Sequence, residues 1–277
     1  MENSKFQNEQ FFFAKTKTIK QMSIRKLLLT IYFWLIASIA TLAALLFTII
    51  NFILRQDYSH DTITYAIEKI MAPMIYYSMV YPGFWKVHFV NLYVNKQNKP
   101  QIIASNHNSM VDTLFIALLN CQKTYSYNYK YRFVPIFGQL CMLAGYIGIQ
   151  TSNPEQKSKV VDQISKKMKE GYSMMIYPEG SRNKNPGSLL SRENVKTGAF
   201  RVALETNYPI TPVYIDKSHV IMNRHGIIDV GTVIIYILES YHVENVRHGQ
   251  EKFVEQMNLM IRKSNDFDEN IEKYMKI

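Results

Sequence analysis

A chain of 277 residues, 47% of them hydrophobic, carries enough apolar side chain for a full core, which excludes a disordered or low-complexity protein. Only two cysteines occur, Cys121 and Cys141, so neither a disulfide framework nor a paired-cysteine metal site is available. With 32 Lys and Arg against 22 Asp and Glu the net charge is +10, a surface that attracts phosphate in nucleic acid, anionic lipid or a phosphorylated substrate.

The chain opens on a basic arm, residues 1–26, where Lys5, Lys15, Lys17, Lys20, Arg25 and Lys26 face only Glu2 and Glu9. From Leu27 to Leu54 no charged residue occurs. A helix of about 20 apolar residues crosses a bilayer, so this run is long enough to span with tilt or to bend within one leaflet. It is too long for the apolar core of a signal peptide, and no small-residue cleavage site follows it. The basic arm places the N-terminus in the cytosol.

The next stretch, Ile63 to Trp85, is apolar and aromatic, with Tyr65, Tyr76, Tyr77, Tyr81 and Phe84 suited to the headgroup boundary. Glu68 and Lys69 argue against its crossing alone. Two readings stand: a partly embedded two-helix element that keeps arm and domain on the cytosolic side, or a second helix that packs on the domain. The anchoring element is taken as 27–94.

A polar linker, Asn95 to Pro100, opens the soluble domain, 95–277. A short buried strand is expected at Gln101–Ala104 and a helix at Met110–Asn120. A strand at Leu143–Ile149 precedes a helix at Glu155–Glu170, whose Val160, Val161, Ile164 and Met168 share one face and which Gly171 can end. Strands at Tyr172–Tyr177, Ile210–Ile215 and Thr232–Leu238, with a helix at Lys196–Glu205, complete an α/β layer pattern. Beyond Gln250, the residues Phe253, Met257, Met260 and Ile261 mark an amphipathic helix, more suited to packing than to membrane contact.

Two motifs sit where strands end. In Ser105-Asn106-His107-Asn108-Ser109-Met110-Val111-Asp112, positions five apart on a helix are turned by about 500°, or 140° net, so His107 and Asp112 meet only if His107 lies in the loop. Asp112 then accepts from one ring nitrogen, and the other is a base able to take the proton of an attacking alcohol. The same Ser109-x-x-Asp112 spacing also reads as a capping box that merely starts the helix. In Tyr177-Pro178-Glu179-Gly180-Ser181-Arg182, proline stops pairing, glycine admits a close approach and Arg182 offers a fork for phosphate; the bland reading is an ordinary turn.

Together these motifs resemble the lysophosphatidic acid acyltransferase family, with its Asn-His-x4-Asp block and later Phe/Tyr-Pro-Glu-Gly-Thr/Ser-Arg block. The resemblance runs from about Pro100 to Ile215. Phe133-Val134-Pro135-Ile136-Phe137-Gly138, Lys196-Thr197-Gly198-Ala199-Phe200 and Tyr208-Pro209-Ile210-Thr211-Pro212-Val213 extend it.

The resemblance implies a glycerolipid acyltransferase-like mixed sheet flanked by helices, with an N-terminal membrane-embedded helical element. It also implies transfer of an acyl group from acyl-CoA or acyl carrier protein to the free hydroxyl of a lysophospholipid, foremost lysophosphatidic acid, without cofactor or metal. His107 would be the base and Asp112 its orienting partner; Glu179 would hold the loop or the acceptor, Gly180 and Ser181 would admit it, and Arg182 would bind its phosphate. The family's second block commonly carries an Arg where this chain has Gln150, which weakens phosphate binding unless Lys130, Arg132 or Lys196 compensates. An acceptor other than lysophosphatidic acid therefore stays open.

Rival classes fit less well. A metal hydrolase lacks HExxH, a cysteine pair or an Asp-rich loop. No nucleic-acid reader motif accompanies the basic charge. A non-catalytic lipid-binding scaffold would keep anchor and domain but has no use for both His107 and Asp112.

Overall fold

A computed structural model describes residues 23–55, 60–91, 99–133, 137–149 and 154–269. Most of the basic arm, most of the 95–100 linker, Val134–Ile136, Gln150 and the end of the C-terminal tail lie outside the described residues.

The apolar run forms one helix, α1 (Ile24–Arg55). Its buried residues, Leu29, Phe33, Ala40 and Ala44, are spaced four, seven and four apart, which keeps them on one face. On its other faces Leu28, Ile31, Leu35, Leu42 and Ile49 are exposed. A return segment follows, α2 (His60–Tyr65), a π-helical turn (Ala66–Met71) and α3 (Ala72–Val80). Phe47 stacks on Tyr65, Thr41 bonds Met71, and the Tyr32 hydroxyl donates to the Ser78 carbonyl. As one partner's number rises the other's falls, so the two arms form an antiparallel hairpin.

Of the two readings, packing of the second arm on the domain is the one its contacts show. It returns along α1, and it also packs on the domain through buried Glu68, which pairs with buried Lys123 at 3.1 Å and accepts the Tyr125 hydroxyl at 3.1 Å.

The sheet has seven strands in the order β1-β7-β6-β2-β5-β3-β4: β1 (Trp85–Asn91), β2 (Ile102–Ser105), β3 (Lys123–Asn128), β4 (Ile147–Ile149), β5 (Ser173–Ile176), β6 (Ile210–Asp216) and β7 (Gly231–Ile237). β2 to β6 run parallel; β7 is antiparallel to β6, and β1 is parallel to β7, so the sheet is mixed. β2, β5 and β6 are buried at every position, as strands covered on both faces must be.

Alternation along the strands divides the core. Ile102, Ala104, Met174 and Ile176 face a layer built by α6 (Pro154–Lys169), α7 (Gly198–Thr206) and α9 (Val246–Glu269), with Phe200, Phe253 and Met257 at its centre. Ile103, Met175, Val213 and Ile215 face the hairpin, α4 (Asp112–Ala117) and Ile221 of α8 (Ser218–Ile221). Gly171, at φ +100°, ends α6 in a conformation costly for a side chain.

Three elements differ from those expected. The sheet begins at Trp85, ahead of the 95–277 boundary: Trp85-Lys86-Val87-His88-Phe89-Val90 pairs along β7, and the Trp85 indole donates to the Asp229 carbonyl at 3.0 Å. Its alternation was hidden in the aromatic run that precedes it. Lys123–Asn128 is a strand where none was expected, its polar start buried because Lys123 is ion-paired. The stretch assigned to one strand, Leu143–Ile149, divides into the end of helix α5 (Phe137–Leu143), a turn through Gly145 at φ +66° and the three residues of β4. A short apolar run does not distinguish helix from strand.

Candidate active site

Strand order brings the two motifs together. β5 lies beside β2 with Ala104 opposite Ile176, so the loops after Ser105 and after Ile176 leave the sheet side by side at its carboxyl end. The chain leaving β2 runs to α4 on one face of the sheet and the chain leaving β5 runs to α7 on the other, which opens a crevice of the kind where α/β sheets bind ligands.

Asn106 anchors the first loop. Its carboxamide accepts from the Ile215 N–H at 2.7 Å and donates to the Ile215 carbonyl at 2.9 Å, continuing the β2–β6 ladder with a side chain after the backbone turns away. His107 thus starts in the loop, as its spacing from Asp112 requires. Its Nδ1 lies 3.0 Å from Asp112 Oδ2. That oxygen also accepts the backbone N–H groups of Asn108 and Ser109, both at 2.7 Å. Because that oxygen serves as the acceptor for two N–H groups, the proton of the ring contact lies on Nδ1, and in the neutral ring Nε2 carries the lone pair.

Asp112 is fully buried, and its Oδ1 has no hydrogen-bond partner among the described residues. The capping reading also survives in half. Asp112 accepts the Ser109 N–H at the helix start, but the Ser109 hydroxyl donates to the Met222 carbonyl at 2.8 Å instead of capping. One carboxylate therefore both shapes the turn and orients the imidazole.

The second loop clasps the first by its backbone. Glu179 Oε1 accepts the His107 N–H at 2.9 Å, and the His107 carbonyl accepts the Asn183 N–H at 2.6 Å. Burial pushes the Glu179 carboxyl above its ordinary range, against the opposing pull of the His107 N–H. Tyr177 stacks its ring on the imidazole, with centroids 3.9 Å apart and planes 15° from parallel. Burial, then the charge of Asp112, drives the Tyr177 phenol well up, so its hydroxyl stays neutral.

Gly180 takes φ +72°, and a Cβ there would meet the Lys196 side chain, with Cδ at 2.8 Å. Lys196 thus crosses the turn. Arg182 is half-buried, one Nη donating to the Arg224 carbonyl at 3.0 Å; Ser181 is exposed beside it. Lys130 is exposed in the turn after β3, and no hydrogen bond or ion pair among the described residues links it to the His107 loop. Burial lowers the His219 imidazole, which lies close enough to feel the charges of Asp216 and Asp112.

His107, Asp112 and Glu179 thus meet, with Gly180, Ser181 and Arg182 on the adjoining turn, Lys196 crossing that turn and Lys130 apart. Sequence reasoning missed Asn106, Asn183, the Tyr177 stack and Arg224. For Asn106 a signal existed, an amide directly before the motif histidine at a strand end. Among the described residues no group of three or more His, Cys, Asp or Glu is arranged to hold a metal ion.

Residues 86–216 match the acyltransferase family model. The 1-acyl-sn-glycerol-3-phosphate acyltransferase LPAT1 of Arabidopsis thaliana chloroplasts is 26% identical over 240 residues, 83% of this chain and 64% of that protein. The 1-acyl-sn-glycerol-3-phosphate acyltransferase of Haemophilus influenzae is 30% identical over 161 residues, 55% of this chain and 64% of that protein. This chain thus spans somewhat under two thirds of these relatives. The crystal structure of the 1-acyl-sn-glycerophosphate acyltransferase PlsC from Thermotoga maritima superposes with a TM-score of 0.64 at 21% identity, covering 86% of this chain and 97% of that one, and shares the fold. Over residues 86–216 this chain is thus similar to acyltransferases, 1-acyl-sn-glycerol-3-phosphate acyltransferases among them.

Proposed function

We propose that this protein transfers a fatty acyl group from a thioester, acyl-CoA or acyl carrier protein, to the free hydroxyl of lysophosphatidic acid, giving phosphatidic acid. The observation that carries the reading is the His107–Asp112 pair, its aspartate fully buried and its imidazole part-exposed, beside a loop that bears Arg182. The relatives named 1-acyl-sn-glycerol-3-phosphate acyltransferase point the same way.

In this scheme Nε2 takes the hydroxyl proton as the oxygen attacks the thioester carbonyl. The tetrahedral intermediate collapses, the C–S bond breaks, and the imidazolium returns the proton to the departing thiolate, so His107 ends as it began. Asp112 stabilises the imidazolium between the two steps. Arg182 and Lys196 hold the acceptor phosphate. No cofactor or metal enters, and no nucleic acid takes part.

The apolar α1 supports a membrane location, being long and apolar enough to cross a bilayer, with only 17% of its most apolar window buried. The hairpin returns to the domain, and Lys26 at the start of α1 pairs with Asp229. That geometry favours an element embedded from one side, with arm and domain both on the cytosolic face and the lysolipid entering laterally.

The test offers purified protein a panel of lysophospholipids with acyl-CoA and acyl carrier protein donors. Transfer to lysophosphatidic acid, lost in His107→Ala with vesicle binding retained, is expected. A wild-type protein that acylates no lysophospholipid, or a His107→Ala variant that keeps its rate, refutes the reading.

A further inference from the structure

We propose that Tyr177 is a positioning residue: its ring fixes the plane of the His107 imidazole, and its hydroxyl ties that ring to the helix bearing Asp112. The inference rests on the reading of His107 as the base.

The hydrogen bond from Nδ1 to Asp112 holds the imidazole by one edge atom. A ring held only there can tilt about the bond and swing Nε2 off the line of the incoming hydroxyl. The backbone clasp by Glu179 and Asn183 fixes the main chain of His107 but not the ring. The missing constraint is a surface against the ring face, and Tyr177 supplies it at 3.9 Å and 15°.

Register explains how it gets there. Ile176 pairs with Ala104 in the ladder, which sets Tyr177 abreast of Ser105. Alternation turns Ile176 into the core layer under α7 and α9 and Tyr177 to the other face, the one to which α4 and Asp112 belong. The Tyr177 hydroxyl then lies 3.0 Å from Thr113 Oγ1, one residue beyond Asp112. The ring that faces the imidazole and the carboxylate that grips its edge are therefore bolted to the same helical turn. A phenol face is also the electron-rich surface on which an imidazolium is favoured, so the stack assists the protonated form that follows proton abstraction.

The test compares Tyr177→Leu, Tyr177→Phe and His107→Ala in the acyl-transfer assay, with the thermal transition of each recorded. A shift of about 1 Å at a reacting group reduces rates by about 100-fold. Tyr177→Leu is thus expected to lower kcat by about 10- to 100-fold with KM for both substrates within about twofold, while Tyr177→Phe, which keeps the face, stays within about threefold. If Tyr177→Leu lacks a cooperative transition, Tyr177→Met, which fills the space without a planar face, is judged by the same split. A near-wild-type kcat in the leucine or methionine variant while His107→Ala is dead overturns the positioning role and leaves the base assignment standing. Equal losses in the phenylalanine and leucine variants also overturn it, because the hydroxyl rather than the ring would then matter. Full activity in His107→Ala removes the base and this proposal with it.

Discussion

Replacing Asp112 by Asn tests whether the carboxylate acts by charge or only by shape. Its Oδ2 accepts two backbone N–H groups at 2.7 Å as well as the His107 ring at 3.0 Å, whereas its Oδ1 has no partner among the described residues. The backbone donors would force the oxygen of an asparagine amide into the Oδ2 position and its NH2 into the Oδ1 position. The proton on Nδ1 and the lone pair on Nε2 are then preserved, and what disappears is the negative charge. An imidazolium and a carboxylate with charge centres about 4 Å apart attract by about 4 kcal/mol at an effective dielectric of about 20. At 1.36 kcal/mol per factor of ten, the ceiling on the loss is about a thousandfold in kcat. We expect a drop of about 100- to 1,000-fold in the acyl-transfer assay, with KM little changed and stability reduced by about 1–3 kcal/mol from the weakened bonds to Asn108 and Ser109. A kcat within threefold of wild type, in a variant that folds, refutes the assignment of electrostatic work to Asp112.

Glu179 makes a pH prediction. Its carboxyl is raised above 4.5 chiefly by burial, so its contribution to stability is present below 4.5 and is lost as pH rises through the elevated value. The melting temperature of wild type minus that of Glu179→Gln should therefore fall as pH is raised from about 4.5 toward neutrality; a difference that grows over that window contradicts the sign. Lys123→Ala leaves Glu68 buried without its partner and should destabilise by about 3–5 kcal/mol in urea unfolding, with much of the loss restored when Glu68→Gln is added. Purely additive losses would deny the coupling. Phe253→Ala, at a fully buried site in the α9 layer, should lower stability by about 3–5 kcal/mol while activity per folded molecule is unchanged. Leu35→Asp and Leu42→Asp on the exposed face of α1 should reduce co-flotation with phospholipid vesicles and leave the thermal transition in place.

The parts of this protein legible in its sequence are those fixed by local spacing. α6 could be read because four apolar residues recur at helical intervals before a glycine, and the structure ends that helix at Lys169, with Gly171 in the left-handed region. The His107–Asp112 contact could be read because five residues cannot face each other along a helix but can across its first turn. What escaped the reading depends on partners far along the chain. β3 looks polar until Glu68, 55 residues earlier, neutralises Lys123. The Asn106 carboxamide has no evident use until β6 arrives 109 residues later with Ile215. Tyr177 reads as the last residue of a strand until β5 inserts next to β2.

That dependence on strand order also bears on why α1 and the His107–Asp112 pair occupy one face of the sheet. The hairpin buries Ile103, Met175, Val213 and Ile215, and the same apolar layer continues into Val111 and Phe115, the residues on either side of Asp112 that seat its helix. Phe33 of α1 touches Trp85, and Trp85 touches Phe115 in turn, with centroid separations of 5.6 and 6.2 Å. The loop at Gly226–Asp229 closes the same circuit from the other side, since Gly226 accepts the Trp34 indole and Ile228 donates to Thr30, while Arg224 in the preceding turn holds Arg182 by its carbonyl. The apolar helix is therefore packed against the elements that position both the imidazole and the guanidinium. In the reading proposed above, this packing couples the depth at which α1 would sit in a bilayer to the height of His107 and Arg182.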